Sequence, residues 1–123
     1  MPSILLQARP PRPRPGPRLF AFASTLHLRP GGRVRFVLRV SNGDVSEQPA
    51  TFGLLGLPDA WKATLSHKDV LVPARGHRLV ALRIDAPEAA ELGERVTLQI
   101  MAGMAGHEAF LDLEVVVDRH PRG

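Results

Sequence analysis

The sequence predicts an all-β sandwich. Several short segments alternate apolar and polar side chains with period two, turn residues separate most of them, and no stretch sustains a helical period. Near the middle of the chain, Leu57-Pro58-Asp59-Ala60-Trp61 carries the only Trp, with strand-like segments on both sides. We read it as the inner corner of the sandwich.

Taken in order, Leu19 to Ala23 makes a first short strand and Thr25 to Leu28 follows it. Pro30-Gly31-Gly32 is a turn signal. The clearest strand comes next: Val34, Phe36, Leu38 and Val40 alternate with Arg33, Arg35, Val37 and Arg39. That period places the first set in a core and three guanidinium groups on a wet face.

Ser41 to Gln48 is polar, with Asn42-Gly43 as a turn signal. Pro49 stands where it can start a strand. Gly53 and Gly56, inside apolar Ala50 to Leu57, indicate a bulge or a close backbone approach. Trp61 to Leu65 forms another strand, and Val70-Leu71-Val72 is a short apolar piece before the turn Pro73 to Gly76.

Val80, Leu82 and Ile84 then alternate with Leu79, Ala81, Arg83 and Asp85, until Pro87 ends the strand. Glu88 to Gly93 is a loop or one helical turn. Val96, Leu98 and Ile100 alternate with polar neighbours, and Gly103-Met104-Ala105-Gly106 is the hairpin connection. The last strand, about Ala109 to Val117, sets Leu111, Leu113, Val115 and Val117 against Asp112 and Glu114. The fold class is therefore an immunoglobulin-like antiparallel β-sandwich of about seven strands, preceded by an extended Arg/Pro-rich arm. Trp61, Phe36, Val34 and Leu38 are its expected core anchors.

A chain of 123 residues fits one such domain and can bury an adequate core unaided. No Cys is present, which excludes disulfides and thiolate metal sites. The formal net charge is +4, but its placement is uneven. Arg9, Arg12, Arg14, Arg18, Arg119 and Arg122 put +6 in the tails, while ten cations and twelve acids leave residues 19–118 at −2. The boundaries follow: 1–18 is the arm, 19–118 the sandwich and 119–123 a basic tail.

Residues 9–18 hold five prolines, which favours extended polyproline II over helix or central strand. At about 3.1 Å per residue that segment reaches roughly 30 Å. It carries the small apolar patch Ile4-Leu5-Leu6. Three readings of the arm stand side by side. It is a tail without a partner, or an assembly arm whose Ile4, Leu5 and Leu6 extend a neighbour's sheet while Arg9, Arg12, Arg14 and Arg18 meet acids there, or a phosphate tether. No aromatic is interleaved in it for base stacking. Ile4-Leu5-Leu6 is shorter than the apolar run of a secretory signal, and no later stretch has the length of a membrane span. The expected setting is therefore the cytoplasm or a particle assembled there.

No catalytic pattern emerges. The five His lack short-spaced zinc partners. His67-Lys68-Asp69 reads as solvated loop charge. Asp85, Glu88, Glu91 and Glu94 cluster around a loop without a calcium-loop spacing. One Trp, five Phe and no Tyr offer little for a sugar platform. No cofactor and no metal are expected.

From Leu28 to Val117 the chain resembles the NPCBM-associated immunoglobulin-like domains, first described beside alpha-galactosidases. The features are the Pro30-Gly31-Gly32 turn feeding Val34 to Val40 and Ser41-Asn42-Gly43. Leu57-Pro58-Asp59-Ala60-Trp61 is similar to that family's Leu-Pro-x-x-Trp, and Val72-Pro73-Ala74-Arg75-Gly76 to its Val-x-Pro-Gly turn. Ile84-Asp85-Ala86-Pro87 followed by Gly93 is similar to its strand, Pro, then Gly order. The resemblance implies a non-catalytic accessory module, mostly of extracellular or envelope proteins.

The function expected is that of a non-catalytic structural or interaction module within a larger assembly, such as a virion surface or cement subunit, its arm contacting a neighbour. The alternative is an accessory module of a glycan-active cell-envelope system. Other protein subunits, including further copies of the chain, are the expected partners, with nucleic acid and carbohydrate ranked below them.

Replacing a buried Trp by Ala costs about 3–5 kcal/mol. Trp61→Ala is expected to leave the domain unfolded or nearly so in a thermal melt. A cooperative melt close to the parent's would place Trp61 on the surface.

Overall fold

A computed structural model of the chain describes residues 16–119. The expected arm residues Ile4, Leu5, Leu6, Arg9, Arg12 and Arg14, and the end of the basic tail, lie outside the described residues. Within them are nine strands: β1 Arg18–Ala21, β2 Thr25–Leu28, β3 Arg33–Ser41, β4 Gln48–Leu55, β5 Lys62–Leu65, β6 Asp69–Val72, β7 His77–Asp85, β8 Arg95–Met104 and β9 His107–Val117. They form two sheets, one ordered β1-β3-β7-β5 and the other β2-β9-β8-β4-β6. The fold is the immunoglobulin-like sandwich that the alternating segments predict.

The strand count exceeds the expected seven because each short segment read near Leu19, Thr25, Trp61 and Val70 forms an edge strand of its own. β1, β5, β2 and β6 flank the two sheets, and each is four residues long. Such short pieces carry little periodicity of their own. They are strands because they hydrogen-bond to a longer neighbour. Short edges also limit edge-to-edge aggregation.

One pairing departs from the antiparallel expectation. β2 runs parallel to β9, with Thr25 opposite Glu114 and Leu28 opposite Val117. The three residues between β1 and β2 carry the chain from the edge of one sheet to the edge of the other. Ser24 O accepts from Glu114 N at 2.9 Å and Leu28 O from Asp118 N at 2.8 Å, which pins both ends of the crossing. The His27 ring adds a hydrogen bond to the Asp118 carboxylate.

The β3–β7 ladder spans nine residue pairs, from Arg33 opposite Asp85 to Ser41 opposite His77. Its inner face brings Phe36, Leu38 and Val40 beside Val80, Leu82 and Ile84, all buried. Leu98, Ile100, Leu113, Val115 and Val117 close the core around Phe36, Leu38, Leu82 and Ile84 from the other sheet, while Val40 and Val80 belong to a second cluster. Trp61 is 5% exposed and belongs to the first cluster. It is delivered there by a tight turn in which Trp61 N donates to Pro58 O at 2.9 Å. Phe36 and Leu38 are buried with it, whereas Val34 is only half-buried, being the second residue of β3 and close to the Gly31–Gly32 turn. The second cluster, which also holds Phe52, Val72, Ala102 and Met104, fills the other end.

One turn is shorter than expected, and another holds a buried polar side chain. The β8–β9 hairpin is the two-residue turn Ala105-Gly106, both with positive φ (51° and 81°), the geometry that matches strand twist. Gly103 and Met104 remain in β8, paired with Glu108 and His107. Asn42, where the β3–β4 loop begins, is a buried polar side chain. Its Nδ2 donates to Ser46 O at 2.9 Å and Val72 O at 3.1 Å, and its Oδ1 accepts from Asp44 N at 2.8 Å. One side chain thus ties the β3–β4 loop to the end of β6. Gly56 (φ 99°) is the close approach foreseen at that site, since a Cβ there would stand 2.6 Å from Thr97 O.

Removing one partner of a buried hydrogen bond leaves the other unsatisfied, at a cost of about 1–3 kcal/mol. Asn42→Ala is therefore expected to destabilise the domain by about that amount in denaturant unfolding, without changing the fold by circular dichroism.

Candidate interaction surfaces

The register that buries the core also decides what faces solvent. On the outer face of β1-β3-β7-β5, Arg33, Asp85 and Lys62 share one row across three strands, and Arg35, Arg83 and Thr64 share the next. Further along, Val37 lies opposite Ala81, and Arg39 lies between Phe20 and Leu79. Arg18 opens β1 opposite Ser41. This face thus carries Arg18, Arg33, Arg35, Arg39, Lys62 and Arg83 against a single acid, Asp85. Phe20, Phe22, Val37 and Leu79 are exposed beside them. The Arg39 guanidinium stands 4.9 Å from the Phe20 ring centre, a cation–π contact, and Phe22 meets Phe20 edge-on at 5.3 Å.

The outer face of β2-β9-β8-β4-β6 has the opposite sign. Glu108, Asp112 and Glu114 project from β9 and Asp69 from β6. Their cationic neighbour on this face is Arg95, whose Nη1 donates to Glu114 Oε1 at 2.9 Å. Leu55, Leu71 and Phe110 are exposed here. The sandwich is near neutral in sum, as the composition requires, but its charge is sorted onto opposite faces. The expectation that only the tails are basic is corrected accordingly.

The sorting is sharpest around Arg83. Arg33 Nε donates to Asp85 Oδ1 at 2.7 Å. Arg83 Nε lies 3.4 Å from Asp85 Oδ2 without hydrogen-bond alignment, and it is buried with no hydrogen-bond partner. Arg35 stands directly opposite Arg83, a like-charge cross-strand pair that destabilises a sheet. The rows open onto a shallow depression of about 340 Å³, lined among others by Arg35, Arg83, Thr64 and Ser66. The Ser66 hydroxyl is occupied, accepting from Ala81 N at 2.9 Å. The Arg33 hydrogen bond holds the Asp85 carboxyl below its ordinary range against the opposing effect of burial, and the charges of Arg33, Arg83 and Lys62 add to it.

The remaining sequence candidates do not converge. Asp69 accepts from the Thr51 hydroxyl at 2.9 Å, and His67 Nδ1 lies 3.0 Å from the Ser66 hydroxyl. Asp85 is committed to Arg33, while Glu94 accepts from Glu91 N at 3.1 Å. Among the described residues no three His, Asp or Glu side chains are grouped to hold a metal ion. No helix there is long and apolar enough to cross a membrane. Gly16, where the described chain begins, lies against His107, so the arm joins the sandwich at its β8–β9 hairpin end.

No protein-family model and no curated protein matches the chain in sequence. Solved structures do match in fold. The seventh PapD-like domain of human CEP192 superposes with a TM-score of 0.59 at 12% identity, covering 98% of this chain and 99% of that one. A chain of the CsuC–CsuE chaperone–tip adhesion subunit pre-assembly complex of Acinetobacter baumannii gives 0.59 at 7% identity, covering 85% of this chain and 53% of that one. A family 123 glycoside hydrolase from Clostridium perfringens gives 0.59 at 9% identity, over 81% of this chain but 24% of the enzyme. At such identities the likeness defines the fold alone: this is an immunoglobulin-like β-sandwich.

A carboxylate whose folded pKa is lowered stabilises the fold above its unfolded pKa, and that contribution is lost as pH falls through the folded value. Asp85→Asn is expected to lower stability near neutral pH and to flatten the loss of stability on acidification. Denaturant midpoints of parent and variant should converge at the acid end, and parallel curves would mean that Asp85 gains nothing from Arg33.

Proposed function

We propose that the protein is a non-catalytic structural or interaction module that works as a subunit of a larger assembly, with its arm contacting a neighbour. The observation that carries this reading is the acidic outer face of β2-β9-β8-β4-β6, which is complementary to the arm's Arg9, Arg12 and Arg14. Electrostatics sends a basic arm away from the Arg-rich face and toward the edge at β6, where Asp69 and exposed Leu71 stand together. The three residues Ile4-Leu5-Leu6 fit along the four-residue edge strand, and strand addition would supply the main-chain hydrogen bonds. The likeness in fold supports the reading by analogy, because one similar structure is described as a chaperone bound to a pilus tip subunit before assembly. A particle built from many copies, such as a virion surface or cement layer, suits such a subunit.

The second reading is an accessory module of a glycan-active envelope system. It is favoured by the match to about a quarter of a glycoside hydrolase and by the resemblance to the alpha-galactosidase-associated domains. Glycan-array binding by the isolated chain would support it.

Light scattering at physiological ionic strength tests the first reading. The full chain is expected to self-associate, and a variant lacking residues 1–15 to show a lower mass. Equal masses for the two would remove the arm from assembly.

A further inference from the structure

The oppositely charged faces lie on opposite sides of one molecule, and each carries what the other lacks. The Arg35–Arg83 row has two guanidinium groups opposite one another, and a buried Nε without a hydrogen bond. Carboxylates placed in the depression above it would accept from both and remove the like-charge repulsion, since guanidinium and carboxylate pair through two parallel hydrogen bonds. The opposite face presents such groups at Asp112 and Glu108, flanked by exposed Phe110 and Leu55. The basic face in turn presents exposed Val37, Leu79 and Phe20.

We infer that the basic face of β1-β3-β7-β5 docks onto the acidic face of β2-β9-β8-β4-β6 of a second copy, with Arg35 and Arg83 receiving its carboxylates. This rests on the reading of the protein as an assembly subunit and names its partner. The contact is heterologous: every copy uses one face and leaves the other open, so growth continues into a row or closes into a ring. Two strands of nine residues and two of four, spaced at about 4.8 Å with about 3.3 Å per residue, give a face of roughly 400 Å². Two such faces bury about 800 Å² together, the size of a weak, transient contact. The contact is therefore weak singly, salt-sensitive, and strengthened by repetition and by the arm.

The test uses the full chain and two charge reversals, one on each face. Arg35→Glu removes a like-charge pair, so this variant is expected to melt at or above the parent temperature. A loss of association in it is then not a folding defect. Asp112 is exposed and accepts from Gln99 Nε2 at a long 3.3 Å, so Asp112→Lys is expected to fold as well. By sedimentation velocity at low ionic strength, the parent should grow in mass with concentration and shrink with added salt. Each variant alone should lose self-association about tenfold or more. Mixed, they should recover association, because the acidic face retained by Arg35→Glu meets the basic face retained by Asp112→Lys, and the two reversed charges are again opposite in sign.

A parent that stays monomeric at low salt overturns the inference, as does a mixture that does not recover association. Undiminished assembly of Arg35→Glu, with loss only on removal of residues 1–15, also overturns it while leaving the subunit reading intact. Capture of a single-stranded oligonucleotide by the basic face of a monomeric parent would overturn it too, assigning that face to nucleic acid.

Discussion

The nine-pair ladder between β3 and β7 is the constraint on which the rest depends. It places Phe36, Leu38, Val40, Val80, Leu82 and Ile84 on one side as the centre of the core. Each such side chain contributes about 1.5–3 kcal/mol on burial. A one-residue slip of either strand would move its three to the wet face. The same register sets Arg35 against Arg83, at a cost of about 0.2–1 kcal/mol. The core term is larger by an order of magnitude, so hydrophobic burial dictates the register. The outer face inherits a charge pattern that stability alone would not choose.

Around that ladder the fold is closed economically. The longer strands occupy the middle of each sheet and four-residue strands finish the edges. β1 and β2 are consecutive pieces of chain that serve different sheets, which joins the two layers at one border. Asn42 does the same elsewhere by satisfying carbonyls of the β3–β4 loop and of the end of β6 with one buried amide. The outcome is a rigid slab with short edges and two broad faces. Its surface features are open and shallow, a form that suits contact with another macromolecule.

Much of this was legible in the sequence and some was not. The alternation in Arg33 to Val40 and in Leu79 to Asp85 identified the inward residues correctly, because a half-buried strand writes its burial with period two. Trp61 was recognisable as a core residue since it stood alone between strands. Asn42-Gly43 marked the β3–β4 turn, but the burial of the Asn42 amide was not legible, because it depends on the carbonyl of Val72 at the end of β6, thirty residues away. The parallel β2–β9 contact left no sequence mark, because parallel and antiparallel edges use the same residues.

The candidate surfaces divide in the same way. The three guanidinium groups of β3 on a wet face, and the acids Asp112 and Glu114 opposite the core side of β9, followed from the sequence alone. Arg83 and Lys62 joining the first group, and Asp69 joining the second, came only from tertiary structure. Strand register across the sheets decides which side chains share a row, and register arises from the packing of the whole core. By itself the sequence determined an all-β sandwich, a basic Pro-rich composition before it and the inward faces of its long strands, since these depend on local periodicity and composition. Only the folded structure decided that a nearly neutral body presents two faces of opposite charge, because a sum of charges contains no information about where the chain brings them together.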